Sequence, residues 1–303
     1  MSEVATTEPR APSVSARTRA PSLTRRRRRR RDFDRPRFLR VFTALVYLFL
    51  FTPIVVVILF SFNSQKSLQV FDGFSLRWYQ DFLSDPTLRQ SLFASLEIAV
   101  VTMVLATVLG TMLAIGLVRS RARWAGGANI LMLIPLVTPE IVTGISALLI
   151  FSQLGIQLSL LTVILAQVTF SISYVTIVVR ARLADMSNET EEAAMDLGAT
   201  RWQSVRLTLL PSLWPAIVAA GLLVFALSFD DFVLSFFTTG EDVQPLPVRV
   251  WSAIRFGISP TINAIGTLMM VISLSSIALA LLIPRLFGRR ESGIKVLTAS
   301  EGG

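Results

Sequence analysis

The sequence contains no cysteine and no histidine in its 303 residues. Disulfides, thiolate metal sites, thiol nucleophiles and histidine general bases are therefore excluded, and so is any Ser-His-Asp triad. Lysine occurs only at Lys66 and Lys295, and neither closes a G-x-x-x-x-G-K-[ST] loop, so the chain has no P-loop of its own. Charge is also scarce: 16% of the residues are charged and 52% are hydrophobic, whereas a soluble domain is about 25% charged. This composition predicts a polytopic membrane protein.

The net positive charge of the chain is concentrated in an N-terminal tail. Residues 1–40 contain 13 arginines and four acids, which gives +9, while the remaining residues contain 16 basic and 16 acidic side chains. A tail of Arg, Pro, Ser, Thr and Ala cannot bury a core, so we expect disorder. Its composition is typical of a cytoplasmic segment that sets membrane topology, with contact to anionic lipid headgroups or to RNA as alternatives. We expect the rest of the chain to contact membrane lipid and to bind no nucleic acid.

Six apolar stretches approach or exceed the roughly 20 residues that a helix needs to cross a bilayer. They cover residues 41–62, 91–118, 126–152, 157–179, 212–237 and 263–287. If the N-terminus is inside, 24 of the 29 basic residues lie on the inner side and five on the outer side. Basic residues favour the cytoplasmic side. The sequence therefore predicts an all-α protein with a six-span membrane domain over residues 41–287, a second cytoplasmic tail over 288–303, and both termini in the cytoplasm.

One outer segment, residues 75–93, is amphipathic. The alternation of apolar and polar side chains predicts a short helix at the outer membrane interface, with Trp78 and Tyr79 as aromatic anchors.

A polar loop between the fourth and fifth spans, residues 187–211, predicts two short helices. Ser187 and Asn188 are candidate N-caps, acids follow in the first turn, and Gly198 offers the C′ position that ends helices. A second helix is predicted over residues 200–209, and Pro211 then opens the fifth span. The apolar positions of this second helix are Trp202, Val205, Leu207 and Leu209. By outline alone the loop could be an ordinary connection, or could mimic a helix-turn-helix DNA-binding motif.

The residues of this loop carry a more specific pattern. Glu192-Ala193-Ala194, three residues, Gly198, nine residues and Thr208-x-Leu210-Pro211 resemble the EAA motif of ABC importer permeases, with Thr208 where isoleucine is usual. The resemblance implies the type I ABC importer permease fold, in which this coupling loop inserts into a cleft on a separate ATPase subunit. It also implies that Glu192 makes a polar contact there, that Ala193, Ala194 and Gly198 permit close packing, and that the chain itself is not an enzyme.

Four further stretches narrow the resemblance to spermidine/putrescine permease subunits, over about residues 40–290. The stretches are SFNSQ at 61–65, FSLRWYQDFL at 74–83, TPEIVTGIS at 138–146, and LSFDDFVLSFFTTG at 227–240 followed by LPVRVWSAIRFGISPTINA at 246–264. The resemblance implies a prokaryotic cytoplasmic membrane, a second permease subunit, two copies of the ATPase that bind ATP and Mg²⁺, and an extracellular or periplasmic polyamine-binding protein. Permeases for ferric iron, thiamine, phosphonate and sulfate share parts of these patterns and are the alternatives.

Four acids fall within the predicted spans, and ionisable groups at membrane depth are functional candidates. They are Glu97, Glu140, Asp230 and Asp231, with no Lys or Arg deep in a span to pair with them. Helical rise places all four in the middle or outer half of the bilayer. An inward-facing set would form an acidic vestibule that attracts a polyamine.

Each acid also has a structural interpretation. Glu97 lies near enough to the interface to snorkel. Asp230 and Asp231 point about 100° apart on a helix, so one of them would face the path, and the two could instead mark an outer helix end. Glu140 after Pro139 could bond to backbone freed by a kink.

Phe229 is a further pathway candidate. With Phe225, Phe232 and Phe236 it forms a predicted stripe on one helix face, which could bind ammonium groups by cation–π contacts or simply pack. No metal site is predicted. Two other classes remain open: a secondary transporter, and an intramembrane hydrolase that uses Glu140 with one of the two aspartates.

Overall fold

The computed structural model describes residues 37–66, 70–119, 125–187, 189–255 and 259–299, and most of these residues are helical. The helices are α1 (Arg37–Ser61), α2 (Arg77–Ser84), α3 (Pro86–Arg119), α4 (Ala125–Val137), α5 (Glu140–Gln153), α6 (Leu160–Ala184), α7 (Glu189–Asp196), α8 (Arg201–Ser204), α9 (Leu210–Asp230), α10 (Val233–Thr238), α11 (Leu246–Ile254) and α12 (Pro260–Ala299). A π turn, Val205–Leu209, joins α8 to α9. Most of the predicted N-terminal tail, residues 1–36, and the candidate cap Asn188 lie outside the described residues, and α1 begins at Arg37 rather than residue 41.

The chain divides into two compact units, residues 1–51 and 52–303. In the first unit, the described residues form the first part of α1, with exposed side chains from residue 38 onward. The second unit contains the last turns of α1 and the other helices.

Five of the described helices are long and apolar enough to cross a membrane, and the number is six if the bent pair α4–α5 counts as one span. The two helices of this pair differ in direction by 106°. The bend follows from Pro139, which has no N–H for a continuing helix and disfavours helical backbone at Thr138. The predicted six spans are consistent with this arrangement.

The core of residues 52–303 is built around α3, which packs against α6 and α9, while α12 packs against α9. Glycines allow the close approach. A Cβ at Gly110 would lie 2.6 Å from Val175 Cβ, and one at Gly221 would lie 2.9 Å from Thr107 Oγ1. In addition, Thr176 Oγ1 donates a 3.2 Å hydrogen bond to the Gly110 carbonyl. Small residues at such crossings are the expected device where helices pack within a membrane.

The segment 75–93 differs from the sequence prediction, because Asp85 divides it into α2 and the start of α3. Trp78 is 6% exposed, and its Nε1 donates a 2.6 Å bond to the Asn63 carbonyl. The Tyr79 hydroxyl lies 2.8 Å from Ser61 Oγ. These two rings therefore tie α2 to the end of α1, and Trp78 is not the interfacial anchor that the amphipathic pattern suggested.

The loop 187–211 begins as predicted and ends differently. Helix α7 stops at Asp196, and Gly198 follows with φ +92°, a backbone conformation that glycine adopts readily. The predicted second helix is not separate, because α8, the π turn and α9 run on without a break to Asp230. At the junction the Leu210 amide bonds to the carbonyl of Val205.

The fifth span also ends earlier than the apolar run. Helix α9 stops at Asp230, and α10 starts a new helix at Val233. Phe225 and Phe229 stack within α9, with ring centroids 5.9 Å apart, whereas Phe232 and Phe236 lie beyond the break. The predicted stripe of four phenylalanines on one helix face is therefore wrong.

Candidate functional site

Two helix breaks bring acidic side chains together in the second unit. Glu140 is the first residue of α5, and Asp231 occupies the break between α9 and α10. Asp231 Oδ1 accepts a 3.1 Å bond from the Leu234 amide in the first turn of α10. Glu140 lies beside Asp231, and the two side chains line the same hollows. Residues 91 positions apart in sequence therefore share one site.

Gln167 on α6 holds this arrangement in place and is 2% exposed. Its Nε2 donates to Asp231 Oδ2 at 2.7 Å and to Ser235 Oγ at 3.1 Å. Its Oε1 accepts a hydrogen bond from the Ser228 hydroxyl. One buried amide thus links α6 to the end of α9, to the break and to α10. Sequence reasoning missed Gln167; the available signal was a glutamine inside an apolar span, where an unsatisfied amide would be costly.

Two adjoining hollows, which we call the acidic cavity, open beside these residues. The larger has a volume of about 350 Å³ and the smaller about 140 Å³. Both are lined by Glu140, Leu227 and Asp231, and Asp230 lines the larger one. No lysine or arginine lines either hollow among the described residues. Carboxylates without a basic partner create a negative potential that attracts cations and repels anions.

The other two pathway candidates lie outside the acidic cavity. Glu97 is exposed on α3 and lines neither hollow. Phe229 is 0% exposed and packs in an apolar cluster with Phe82 and Leu246. Its location supports a packing role and gives a ligand no access. In the described part of the chain, no group of three or more Asp or Glu side chains is arranged to hold a metal ion.

The loop 187–211 has most of its motif residues at the surface. Glu192, Ala193, Gly198 and Pro211 are exposed, while Ala194 and Leu210 are half-buried. Large apolar side chains accompany them on the surface. Their exposed fractions are 90% for Leu197, 69% for Trp202 and 71% for Leu207.

The apolar positions of the predicted second helix are thus divided between two environments. Leu209 is buried in the core of the bundle, whereas Trp202 and Leu207 face outward. Exposed apolar clusters of this kind mark interaction surfaces.

Three comparisons with known proteins all find membrane components of transport systems. Residues 106–293 match the family of binding-protein-dependent transport system inner membrane components. The putrescine transport system permease protein PotI of Escherichia coli strain K12 is 40% identical over 218 residues, 70% of this chain and 78% of that protein. The spermidine/putrescine transport system permease protein PotC of Haemophilus influenzae is 37% identical over 225 residues, 74% of this chain and 88% of that protein.

Solved structures support the fold at lower identity. A bacterial ABC transporter involved in the import of the acidic polysaccharide alginate superposes with a TM-score of 0.66 at 12% identity, over 82% of this chain and 95% of that one. A methionine ABC transporter in an inward-facing conformation gives a TM-score of 0.57 at 17% identity, over 65% and 96%. The arrangement of helices is therefore that of ABC importer permeases.

Proposed function

Because the chain belongs to the family of binding-protein-dependent transport system inner membrane components, we propose that it is the permease subunit of an ATP-driven importer that carries polyamines such as putrescine or spermidine across the membrane. The relatives that are 35–40% identical over 70–74% of this chain are named as putrescine or spermidine/putrescine permeases.

The observation that carries the substrate assignment is the acidic cavity. Glu140, Asp230 and Asp231 line a space in which the described residues place no basic side chain. Placing an acidic side chain at membrane depth costs about 2.5–3.5 kcal/mol of insertion free energy. Three acids in one cavity therefore indicate a functional role that offsets this cost. A diamine or triamine carries two or more ammonium groups, and these match separated carboxylates.

Glu140 and Asp231 also form the acid pair that an intramembrane hydrolase would need. Membership of a transport family favours cation binding by this pair over hydrolysis. The exposed Asp230 is then a contact for the substrate beside the pair.

Partners of this chain follow from the coupling loop. Its exposed Leu197, Trp202 and Leu207 would be covered by a separate ATPase subunit, with Glu192 as a polar contact at that interface. ATP and Mg²⁺ would bind that partner, since this sequence has no P-loop. A complete importer would hold two ATPase copies, a second permease subunit, and a polyamine-binding protein at the opposite face.

Location and mechanism complete the proposal. The chain would lie in the cytoplasmic membrane of a prokaryote with both termini inside, as the distribution of basic residues favours. ATP binding would close the two ATPases, move the coupling loops together and open the acidic cavity toward the binding protein. Hydrolysis and release of its products would return the cavity to the inward-facing state.

The experiment is ATP-driven uptake of radiolabelled spermidine into vesicles that hold this chain with its partners. Excess putrescine, ferric citrate and phosphonate serve as competitors. We expect inhibition by putrescine alone. Uptake blocked by ferric citrate or phosphonate, or no spermidine uptake while the ATPase still docks and hydrolyses ATP, would contradict the polyamine assignment.

Two variants locate the substrate path in the same assay. Asp230→Asn should lower uptake without lowering the amount of chain in the membrane, because the Asp230 side chain is exposed to the larger hollow. Glu97→Gln is the matched control, since it removes an acid of the same membrane half that does not line the acidic cavity. Equal effects of the two substitutions on uptake would contradict a substrate path through the acidic cavity.

A further inference from the structure

A half-buried ion pair lies at the end of the bundle opposite the acidic cavity. Arg119, the last residue of α3, pairs with Glu191 in the first turn of α7. The Glu191 side chain is 9% exposed and that of Arg119 is 40% exposed. The two residues are separated by 72 positions in the sequence, so the pair joins the coupling loop to a helix that is distant along the chain.

The environment of this pair differs from that of a surface ion pair. Arg77 and Asp81 on α2 also pair, but their side chains are 67% and 47% exposed, and such contacts contribute little. A carboxylate that is largely removed from water needs its partner, because loss of that partner leaves an uncompensated charge. Glu191 and Arg119 are therefore expected to stay together while the loop moves.

The direct connection between the coupling loop and the fifth span is less regular. Helix α8 reaches α9 through the π turn Val205–Leu209. A π turn inside an α-helix often marks a functional site and departs from the regular hydrogen-bond ladder. Beside it, Ser204 Oγ is buried and has no hydrogen-bond partner in the described structure. We expect this junction to yield more readily than a plain α-helix.

Helix α3, by contrast, is in firm contact with its neighbours. A Cβ added at Gly110 would overlap Val175 on α6, and one added at Gly221 on α9 would overlap Thr107 of α3. Packing this close leaves no room for sliding of one helix past another without a change of register. A displacement of α3 would therefore carry α6 and α9 with it.

We propose that Arg119 and Glu191 are positioning residues that fasten the coupling loop to α3, so that movement of a docked ATPase reaches the α3–α6–α9 core through this ion pair. This inference rests on the proposed function. It adds a second mechanical route to the covalent one through the π turn, and that route uses residues outside the EAA motif.

The test uses the full chain, produced with the second permease subunit and the ATPase and reconstituted in vesicles. The variants are Arg119→Ala, Glu191→Ala, and the exchanged pair Arg119→Glu with Glu191→Arg. Glu189→Ala is the matched control, because Glu189 is an exposed acid in the same turn of α7. The readouts are chain in the membrane, ATPase copurification, ATP hydrolysis and radiolabelled putrescine uptake, which together give the putrescine transported per ATP hydrolysed.

Each single variant should still bind the ATPase, while putrescine transported per ATP falls roughly 2- to 30-fold, the range typical of substitutions along a coupling route. The exchanged pair should recover most of the loss. This recovery is informative because each exchanged charge opposes the dipole of its helix, so only the restored pair can account for it. Glu189→Ala should behave like the unmodified chain.

Several outcomes would overturn the proposal. An unchanged ratio in both single variants would remove the pair from the coupling route. So would failure of the exchanged pair to restore a lowered ratio, or uptake that falls only in proportion to the amount of chain in the membrane. No putrescine uptake by the unmodified complex is a separate result, which counts against the polyamine assignment. In that case the ATP hydrolysis of the docked complex, compared across the same variants, still decides the role of the pair.

Discussion

Gly198 tests whether the coupling loop depends on backbone conformation or on close packing with its partner. The residue has φ +92°, and a Cβ added to it would meet no atom of this chain within 4 Å. An alanine in left-handed backbone costs about 1–2 kcal/mol. Gly198→Ala should therefore lower the population of the native loop roughly 5- to 30-fold relative to open forms, with no steric clash inside the chain.

Asparagine separates the two explanations, because it is larger than alanine yet tolerates left-handed backbone better. If the backbone conformation is what matters, Gly198→Ala is worse than Gly198→Asn. If close contact with a docked ATPase dominates, the order reverses, because the larger side chain obstructs the interface. Gly198→Trp should stop uptake under either explanation while membrane insertion stays intact.

Two assays measure the effect. Limited trypsin cleavage at Arg201 and Arg206 of the membrane-inserted chain reports opening of the loop without any partner. ATPase copurification and ATP-driven uptake, normalised to the amount of chain, report coupling. We expect faster cleavage and lower uptake for Gly198→Ala than for Gly198→Asn. A Gly198→Ala variant with the cleavage rate and uptake of the unmodified chain would refute the requirement for left-handed backbone at this position.

Two further substitutions test the outer half of the bundle. Gln167→Leu removes the hydrogen-bond partners of Ser228, Ser235 and one Asp231 oxygen, at a cost of about 1–3 kcal/mol for each group left unsatisfied. We expect the variant to unfold in detergent at a clearly lower temperature. An unchanged unfolding midpoint would contradict a stabilising role of Gln167 in this network. Gly240→Ala would place a Cβ 2.3 Å from the Leu158 carbonyl oxygen, so we expect little chain in the membrane, whereas Gly116→Ala, with no atom within 4 Å, should accumulate normally. Normal accumulation of both glycine variants would contradict the close contact at Leu158.

Features set by neighbouring residues could be predicted from the sequence. Long apolar runs predicted the five long helices and the apolar pair α4–α5, because a run of about 20 apolar residues is a local property. The end of α7 was predictable since Gly198 follows a short acidic helix. Pro139 likewise signalled the bend between α4 and α5. In each case the signal lies within a few residues of the feature.

Features that depend on distant contacts could not be predicted. Asp230 and Asp231 interrupt the apolar run of the fifth span, but the run resumes after them. Hydropathy therefore does not establish the break, which Gln167 contacts from 64 positions away. Trp202 and Leu209 are seven positions apart, the spacing of one helix face, yet Trp202 is exposed and Leu209 is buried. Apolar spacing alone cannot distinguish a side chain that packs within the chain from one left free on its surface.

The π turn at Val205–Leu209 has a torsional consequence. It contains one residue more than a regular α-helical turn, and each residue of an α-helix advances about 100° around the axis. Closing it to regular α-helix at constant chain length would rotate α8 by about that angle relative to α9. Trp202 would then sweep around the helix axis while the fifth span stayed straight. Such a change would rotate the junction, and the Arg119–Glu191 pair, which joins the neighbouring α7 to α3, would limit the angle of that rotation.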